Sequence, residues 1–448
     1  MSAVERPPLL LDLYQLTMAR AYFERGMDDV AVFELFVRNL PPTRAFLVAA
    51  GLAQALEYLG QLRFGPQELG YLEGLGLFAP AFLAHLERVR FGGSVHALPE
   101  GTVFFGQEPI LRVTAPILEA QLAESCLINI LHFQTLIASK AARCVLAAGG
   151  RQLVDFGMRR AHEGDAALYA ARAAYLAGFD ATATVEAGRR FGIPLSGTMA
   201  HSFIEAHDRE EDAFRDFAAS YGAEPTLLID TYDTERAARR VVALAAALAR
   251  DGAAHRIRAV RIDSGDLARQ AHAVRAILDA GGCRDVRIVV SGGLDEHSTH
   301  ALVASGAPVD AIGIGTALDA SVDAPALDMA YKLQCYAGRP RRKRSPGKAT
   351  WPGIKQVYRT RDAGGTLADD QVALESEHVD GEPLLVPVMR DGRLLGPAPT
   401  LGASRAHCAR ELGALPPALR PPDARAGYSV RITPALEALA RALDEQAV

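Results

Sequence analysis

An α/β fold built on a parallel sheet or barrel, preceded by an α+β region, is what this sequence predicts, on three observations. After Gly150 six short apolar runs recur: Gln152 to Phe156, Leu195 to Met199, Thr226 to Ile229, Ala259 to Ile262, Val286 to Val290 and Ala311 to Ile314. Their starts lie 43, 31, 33, 27 and 25 residues apart, the length of a strand with its returning helix, and parallel strands require such crossovers. Polar residues gather where the runs end: Asp155 to Arg160, Thr198 to His201, Asp230 to Asp233, Asp263 to Asp266, Ser291 to Gly293 and Gly313 to Thr316. Parallel α/β folds assemble their sites there, at the carboxyl ends of strands.

The elements follow in chain order. Residues 9 to 28 read as an amphipathic helix. Residues 31 to 115 mix β-like runs (Val32 to Val37, Gly101 to Phe105, Ile110 to Val113) with helical stretches at Ala49 to Leu59 and Pro66 to Leu72. From Ile117 to Ala148 a long helical pattern carries Leu122, Cys126, Ile130, Phe133 and Ile137 at spacings of three and four, one buried face. Beyond the barrel repeat, residues 338 to 366 read as a Gly/Pro/basic loop with an edge strand, Lys355 to Tyr358. Leu384 to Leu395 reads as a hairpin around Asp391-Gly392, and Pro434 to Gln446 as a terminal helix.

Composition narrows the function. The chain has 448 residues, 49% hydrophobic and 23% charged, which is globular composition with room for roughly two to three domains. Its net charge of −5 gives no basic field for nucleic acid, and no long apolar run signals a membrane span. Five scattered cysteines without a Cys-x-x-Cys pair indicate neither a disulfide framework nor a zinc site, so a reducing, cytoplasmic compartment is expected. Of the 48 basic residues only five are Lys, and four of these, Lys332, Lys343, Lys348 and Lys355, fall close together.

Several strand ends carry chemistry. Ser291-Gly292-Gly293-Leu294-Asp295 and Gly313-Ile314-Gly315-Thr316 place glycines between strand and helix, where backbone N–H groups can converge on an anion. Arg261-Ile262-Asp263-Ser264-Gly265-Asp266 supplies a cation, carboxylates and a hydroxyl; these can hold ribose hydroxyls, a Mg²⁺ or an anion, and Ser264 or Asp266 can cap a helix. Asp230 reads as a polar or metal-shell residue, with Asp233 or Thr234 as a cap. His201, beside Thr198 and Ser202, can serve as base or as nucleophile toward phosphoryl groups near neutral pH. Phe156 can stack on a ring while Arg159 binds phosphate.

These segments, with Leu11-Asp12-Leu13-Tyr14-Gln15-Leu16-Thr17-Met18 before them, together resemble the nicotinate phosphoribosyltransferase family, in the family's order over residues 9 to about 358. The resemblance implies a TIM-like, irregular α/β barrel of the type II phosphoribosyltransferase kind over residues 116–335. It further implies an α+β domain over 1–115, a C-terminal segment over 336–448 packing with it, and a homodimer with composite sites. It implies transfer of 5-phosphoribosyl from 5-phosphoribosyl 1-diphosphate to nicotinate, giving nicotinate mononucleotide and diphosphate, with ATP hydrolysis coupled through a transient phosphohistidine at His201 and with Mg²⁺. By the same carry-over Tyr14 and Thr198 contact nicotinate, Tyr14 from a neighbouring subunit, and Phe156 stacks on the pyridine ring. Arg159 and Arg261 bind anionic groups, Asp263 the ribose, and Gly293, Gly315 and Thr316 the 5-phosphate, beside Ser291, Gly292 and Gly313.

The related enzyme acting on nicotinamide keeps an aspartate where Ala183 aligns in Asp180-Ala181-Thr182-Ala183-Thr184; a carboxylate there repels nicotinate, so Ala183 favours the acid. Quinolinate phosphoribosyltransferase, and a non-catalytic phosphoribosyl-diphosphate sensor, are the rival readings. Lys348, in the basic loop, is the expected contact for ATP or diphosphate, against the alternative of a solvated loop. Asp230 and Asp266 are the candidate metal ligands.

Overall fold

The alternation after Gly150 folds into a sheet whose strands all run parallel. The structure, a computed structural model, describes residues 7–221, 224–250, 256–424 and 426–446. Six strands make the sheet: β1 (Gln152–Asp155), β2 (Ala181–Thr182), β3 (Thr226–Leu228), β4 (Ala259–Ile262), β5 (Arg287–Val290) and β6 (Ala311–Ile314). Their order is β2-β1-β6-β5-β4-β3. The last strand thus pairs with the first, as in a ring, while β2 and β3 stay apart among the described residues; the result is an open half-barrel. Val260, Ile262, Ile288, Val290, Ile312 and Ile314 are fully buried, as expected where both faces of a parallel sheet are covered.

Local chemistry sets the strand-to-helix turns. Asp233 accepts the Arg236 N–H at 2.9 Å, Asp266 the Arg269 N–H at 3.1 Å, and Asp295 the Ser298 N–H at 2.8 Å. Each is an N-cap that satisfies an otherwise orphaned donor. The helix Leu267–Ala280 then buries Ala271, Val274 and Leu278 at helical spacing.

One expected strand is absent. Leu195 to Met199 contributes a single bridge, Thr182 to Leu195, and Ala181–Thr182 holds the place in the sheet instead. From Gly197 onward the segment is irregular, and the Met199 carbonyl accepts from a side chain, Arg261, at 3.4 Å.

The chain divides into two units. The parallel sheet lies in the one spanning Lys140–Asp323 with Pro421–Asp423; the other takes in the described residues through Ser139, Ala324–Arg420 and those from Ala424 onward. In the latter, an antiparallel sheet pairs Val30–Val37 with Pro109–Pro116 on one side and with Met329–Tyr336 on the other. The rings of Phe33 and Tyr331 stack there at 4.8 Å. The hairpin is present, Val386–Arg390 with Arg393–Leu394, its turn carried by positive φ at Asp391 and Gly392.

Two expectations are corrected in this unit. The helix from Ile117 breaks into Ile117–Leu122 and Glu124–Ala148. The carbonyls of Gln121 and Leu122 at the break are taken by the Gln15 side-chain amide at 2.7 and 3.1 Å, so the break is satisfied rather than exposed. Lys355–Arg361 is not an edge strand; it runs between Glu382–Pro383 and Leu367–Leu374 in a four-stranded sheet.

Candidate active site

At the carboxyl end of β4, Arg261 organises its neighbours. Its Nε donates to the Ser291 hydroxyl at 2.8 Å, one Nη to the Thr198 hydroxyl at 2.8 Å, and the other to Asp263 Oδ1 at 2.7 Å. The guanidinium carbon stands 5.4 Å from the centre of the Phe156 ring, within cation–π range. A planar, rigid fork is the group that can reach three partners and an aromatic face at once. Ser291 also donates to Asp263 Oδ1. Residues from the ends of β1, β4 and β5 and from the loop before His201 are thereby brought together.

Asp263 is the half-buried acid of the group. Burial by itself would raise its carboxyl, but the Ser291 hydroxyl, the Arg261 guanidinium and His201 outweigh it and hold it below the usual carboxylate range. His201 opens the short helix His201–Glu205. Its Nδ1 lies 3.1 Å from the Thr231 hydroxyl and its Nε2 3.9 Å from Asp263 Oδ2.

Two glycine-bearing strand ends stand side by side, since β5 pairs with β6. The N–H groups of Gly292, Gly293 and Gly315 have no protein acceptor among the described residues, which makes an anion cradle. Gly292 is at φ +99°, and a Cβ there would fall 1.9 Å from the Asp263 carbonyl oxygen. Gly313 passes under Phe156, where a Cβ would meet the ring at 2.4 Å. Thr316 is exposed at the start of the helix Thr316–Asp319.

The Phe156 turn is fastened from below. Asp155 accepts the Gly157 N–H at 2.8 Å and the Thr182 hydroxyl at 2.7 Å, and its own carbonyl accepts the Ala183 N–H at 2.9 Å. Arg159 and Arg160 sit exposed on the single turn Met158–Arg160, and Ala183 is exposed at the end of β2.

The remaining expected residues are placed as follows. Asp230 Oδ2 accepts from the Asp263 N–H at 2.9 Å and from the Ser264 hydroxyl at 2.6 Å, while its Oδ1 is buried with no donor among the described residues. Asp266 is engaged as a helix cap. No group of three or more His, Cys, Asp or Glu side chains suited to a metal forms among the described residues. That donor set fits Mg²⁺ as one carboxylate oxygen completed by substrate oxygens and water, the usual manner for this ion.

Tyr14 and Lys348 belong to the other unit. Tyr14 is 46% exposed; burial of its remainder and then the charge of Glu124 push its hydroxyl up to about 12. Lys348 is exposed in a turn closed by its own N–H to the Ser345 carbonyl at 2.9 Å. The four clustered lysines are not one flexible patch: Lys355 is buried against Glu34 at 2.8 Å and Lys332 pairs with Glu124 at 3.4 Å. Thr231, which bonds His201, was not among the expected site residues, and Ser264, expected as the hydroxyl of its cluster or as a helix cap, bonds Asp230 while Asp266 caps the helix. Both sit in strand-end polar clusters, which is the signal that marks them.

Comparison with known proteins identifies the family. Residues 9–132 match the nicotinate phosphoribosyltransferase N-terminal domain, residues 151–337 the nicotinate phosphoribosyltransferase family and residues 375–440 the corresponding C-terminal domain. The chain is 50% identical over 413 residues to a nicotinate phosphoribosyltransferase of Mycobacterium tuberculosis, covering 92% of this chain and 88% of that one. It is 40% identical over 380 residues to that of Bacillus subtilis, covering 83% and 77%. The crystal structure of human nicotinic acid phosphoribosyltransferase superposes with a TM-score of 0.87 at 32% identity, over 97% of this chain and all of that chain. A nicotinate-nucleotide pyrophosphorylase from Pyrococcus furiosus shares the fold, with a TM-score of 0.73 at 24% identity over 92% of this chain and 99% of that one. The chain belongs to the nicotinate phosphoribosyltransferase family.

Proposed function

We propose that this chain catalyses transfer of 5-phosphoribosyl from 5-phosphoribosyl 1-diphosphate to nicotinate, forming nicotinate mononucleotide and diphosphate, with ATP hydrolysis coupled through His201. It would serve NAD biosynthesis by the Preiss–Handler route, as a cytoplasmic homodimer with Tyr14 completing the site of a neighbouring subunit. The observation that carries the reading is the web of Arg261 with Thr198, Ser291 and Asp263 beneath Phe156.

Each part of the substrates finds a matching group. The pyridine ring stacks on Phe156, and its carboxylate meets Thr198 and cations, Arg261 and Arg159, rather than another acid. The N–H groups of Gly292, Gly293 and Gly315, with Thr316, cradle the 5-phosphate. The nicotinate nitrogen attacks the anomeric carbon as the bond to diphosphate breaks, and the leaving oxygen takes the electron pair. Positive charge develops on the ribose, and Asp263, kept ionised by its hydrogen bonds, stabilises it. The ring nitrogen is already a nucleophile, so holding it in line matters more than a base. Mg²⁺, held through Asp230 and substrate oxygens, would offset the charge of the diphosphate.

His201 supports the ATP coupling. With Nδ1–H donating to Thr231, the Nε2 lone pair is left for the terminal phosphorus of ATP; the N–P bond forms as the bridging P–O bond breaks and ADP departs with its electrons. Ala183 supports the choice of base, since it puts no carboxylate at the strand end beside Asp155. With ATP labelled on its terminal phosphate, the wild-type protein should acquire acid-labile, base-stable label and His201→Asn should acquire none. Equal labelling of the two proteins would remove the phosphohistidine from the account.

A further inference from the structure

Asp155, at the end of β1, is 1% exposed, and Asp319, the last residue of the helix Thr316–Asp319, is 2% exposed. The Asp319 carboxyl occupies the space that Gly157 leaves open: a Cβ on that glycine would stand 2.2 Å from Asp319 Cγ. Neither Asp319 oxygen meets an N–H or hydroxyl donor among the described residues. The group within hydrogen-bond reach is the Asp155 carboxyl, whose oxygens already accept from Gly157 and Thr182. Two carboxylates have no proton to join them, whereas a carboxyl and a carboxylate share one.

We propose that Asp319 is a positioning residue: its protonated carboxyl donates a hydrogen bond to Asp155 and so locks the Phe156 turn to the helix that opens with Thr316. Phe156 sits one residue beyond Asp155 and Thr316 three before Asp319, so this single bond ties the ring-stacking face to the phosphate cradle. That last link rests on the substrate assignment made above; the shared proton does not.

The surroundings keep the proton in place. Burial first, and then the charge of Asp155, hold the Asp319 carboxyl well above the usual carboxylate range. Burial raises Asp155 as well, against its hydrogen bonds to Gly157 and Thr182. Titratable groups on the elements packed against the Asp319 helix are Arg159 and Arg160 on the turn, and Asp165, Tyr169, Arg172 and Tyr175 on Gly164–Ala177. Asp155 is the one that acts on Asp319.

The sign of the pH dependence follows. The folded protein holds this proton to higher pH than the unfolded chain, so the bond's contribution is complete below the ordinary carboxyl range. It is lost as pH rises through the pair's raised titration. Deprotonation leaves two like charges in a dry site and loosens the turn.

Asp319→Asn tests this, because a neutral amide keeps the shape and can donate its N–H to Asp155 without titrating. The infrared difference between wild type and Asp319→Asn at neutral pH should contain the carbonyl band of a protonated, buried carboxyl, over any band from the buried Glu108 that both proteins share. The wild-type Tm and the nicotinate KM should worsen as pH rises, KM by about tenfold for loss of one charged hydrogen bond, while the Asn variant stays flat. Absence of the band, or parallel pH profiles in the two proteins, overturns the proposal. A protein with the band and the Tm profile but no nicotinate mononucleotide product would instead overturn the substrate assignment and leave the shared proton standing.

Discussion

At the scale of single residues, Arg261 is the most connected group of the site, and the substitution that isolates its geometry is Arg261→Lys. The charge survives, but one ammonium on a flexible stem cannot meet Thr198, Ser291 and Asp263 around a common plane. Losing one charged hydrogen bond costs about 1.5–3 kcal/mol, so kcat/KM for nicotinate should fall about ten- to a hundredfold. Steady-state kinetics that stay within about twofold of wild type would contradict the three-way role. Arg261, Asp263, His201 and the glycines were legible in the sequence because each follows an apolar run, and strand ends are where parallel folds place polar side chains. Asp319 was not. Its meaning depends on Asp155, at the opposite end of the sheet's stretch of sequence, and on the missing Cβ of Gly157 between them, a relation no local spacing displays.

At the scale of elements, β6 must pass close beneath an aromatic ring, and Gly313 is what permits it. In Gly313→Ala the new methyl would lie 2.4 Å from the Phe156 ring and 3.2 Å from Ser291 Cβ. The ring has to shift, at an overpacking cost of about 1–3 kcal/mol. Thermal denaturation should show the lost stability, and the nicotinate KM should rise by about tenfold or more if the ring is the stacking face. An unchanged KM alongside a lowered Tm would mean that Phe156 packs without touching substrate. The caps Asp233, Asp266 and Asp295 were readable, being local chemistry between neighbours in the chain. β2 was not, since two residues beginning with alanine carry no β signal and Leu195 to Met199 looks the better strand by propensity alone. Met329–Tyr336 was missed for another reason: its partner is Val30–Val37, and pairing at that distance leaves no trace in either segment.

At the scale of the whole molecule, a net charge of −5 serves a chain whose proposed substrates are nearly all anions. Some of the basic charge is taken up internally. Lys140 is buried against Glu296 and Asp323 at 2.5 and 2.9 Å, and Lys355 against Glu34. Positive potential at the strand ends comes from Arg261, from exposed Arg159 and Arg160, and from N–H groups that find no acceptor among the described residues. The skew toward arginine was visible in composition, but the grouping of lysines in sequence misled, because two of the four lie on strands and are paired. The central claim is ATP-coupled phosphoribosyl transfer to nicotinate. The most direct measurement is chromatographic detection of mononucleotide from purified protein given 5-phosphoribosyl 1-diphosphate with nicotinate, nicotinamide or quinolinate, each with and without ATP. Nicotinate mononucleotide should form and be increased by ATP, with the other two bases giving little product; preferential use of nicotinamide or quinolinate, or no product from nicotinate, would contradict the account.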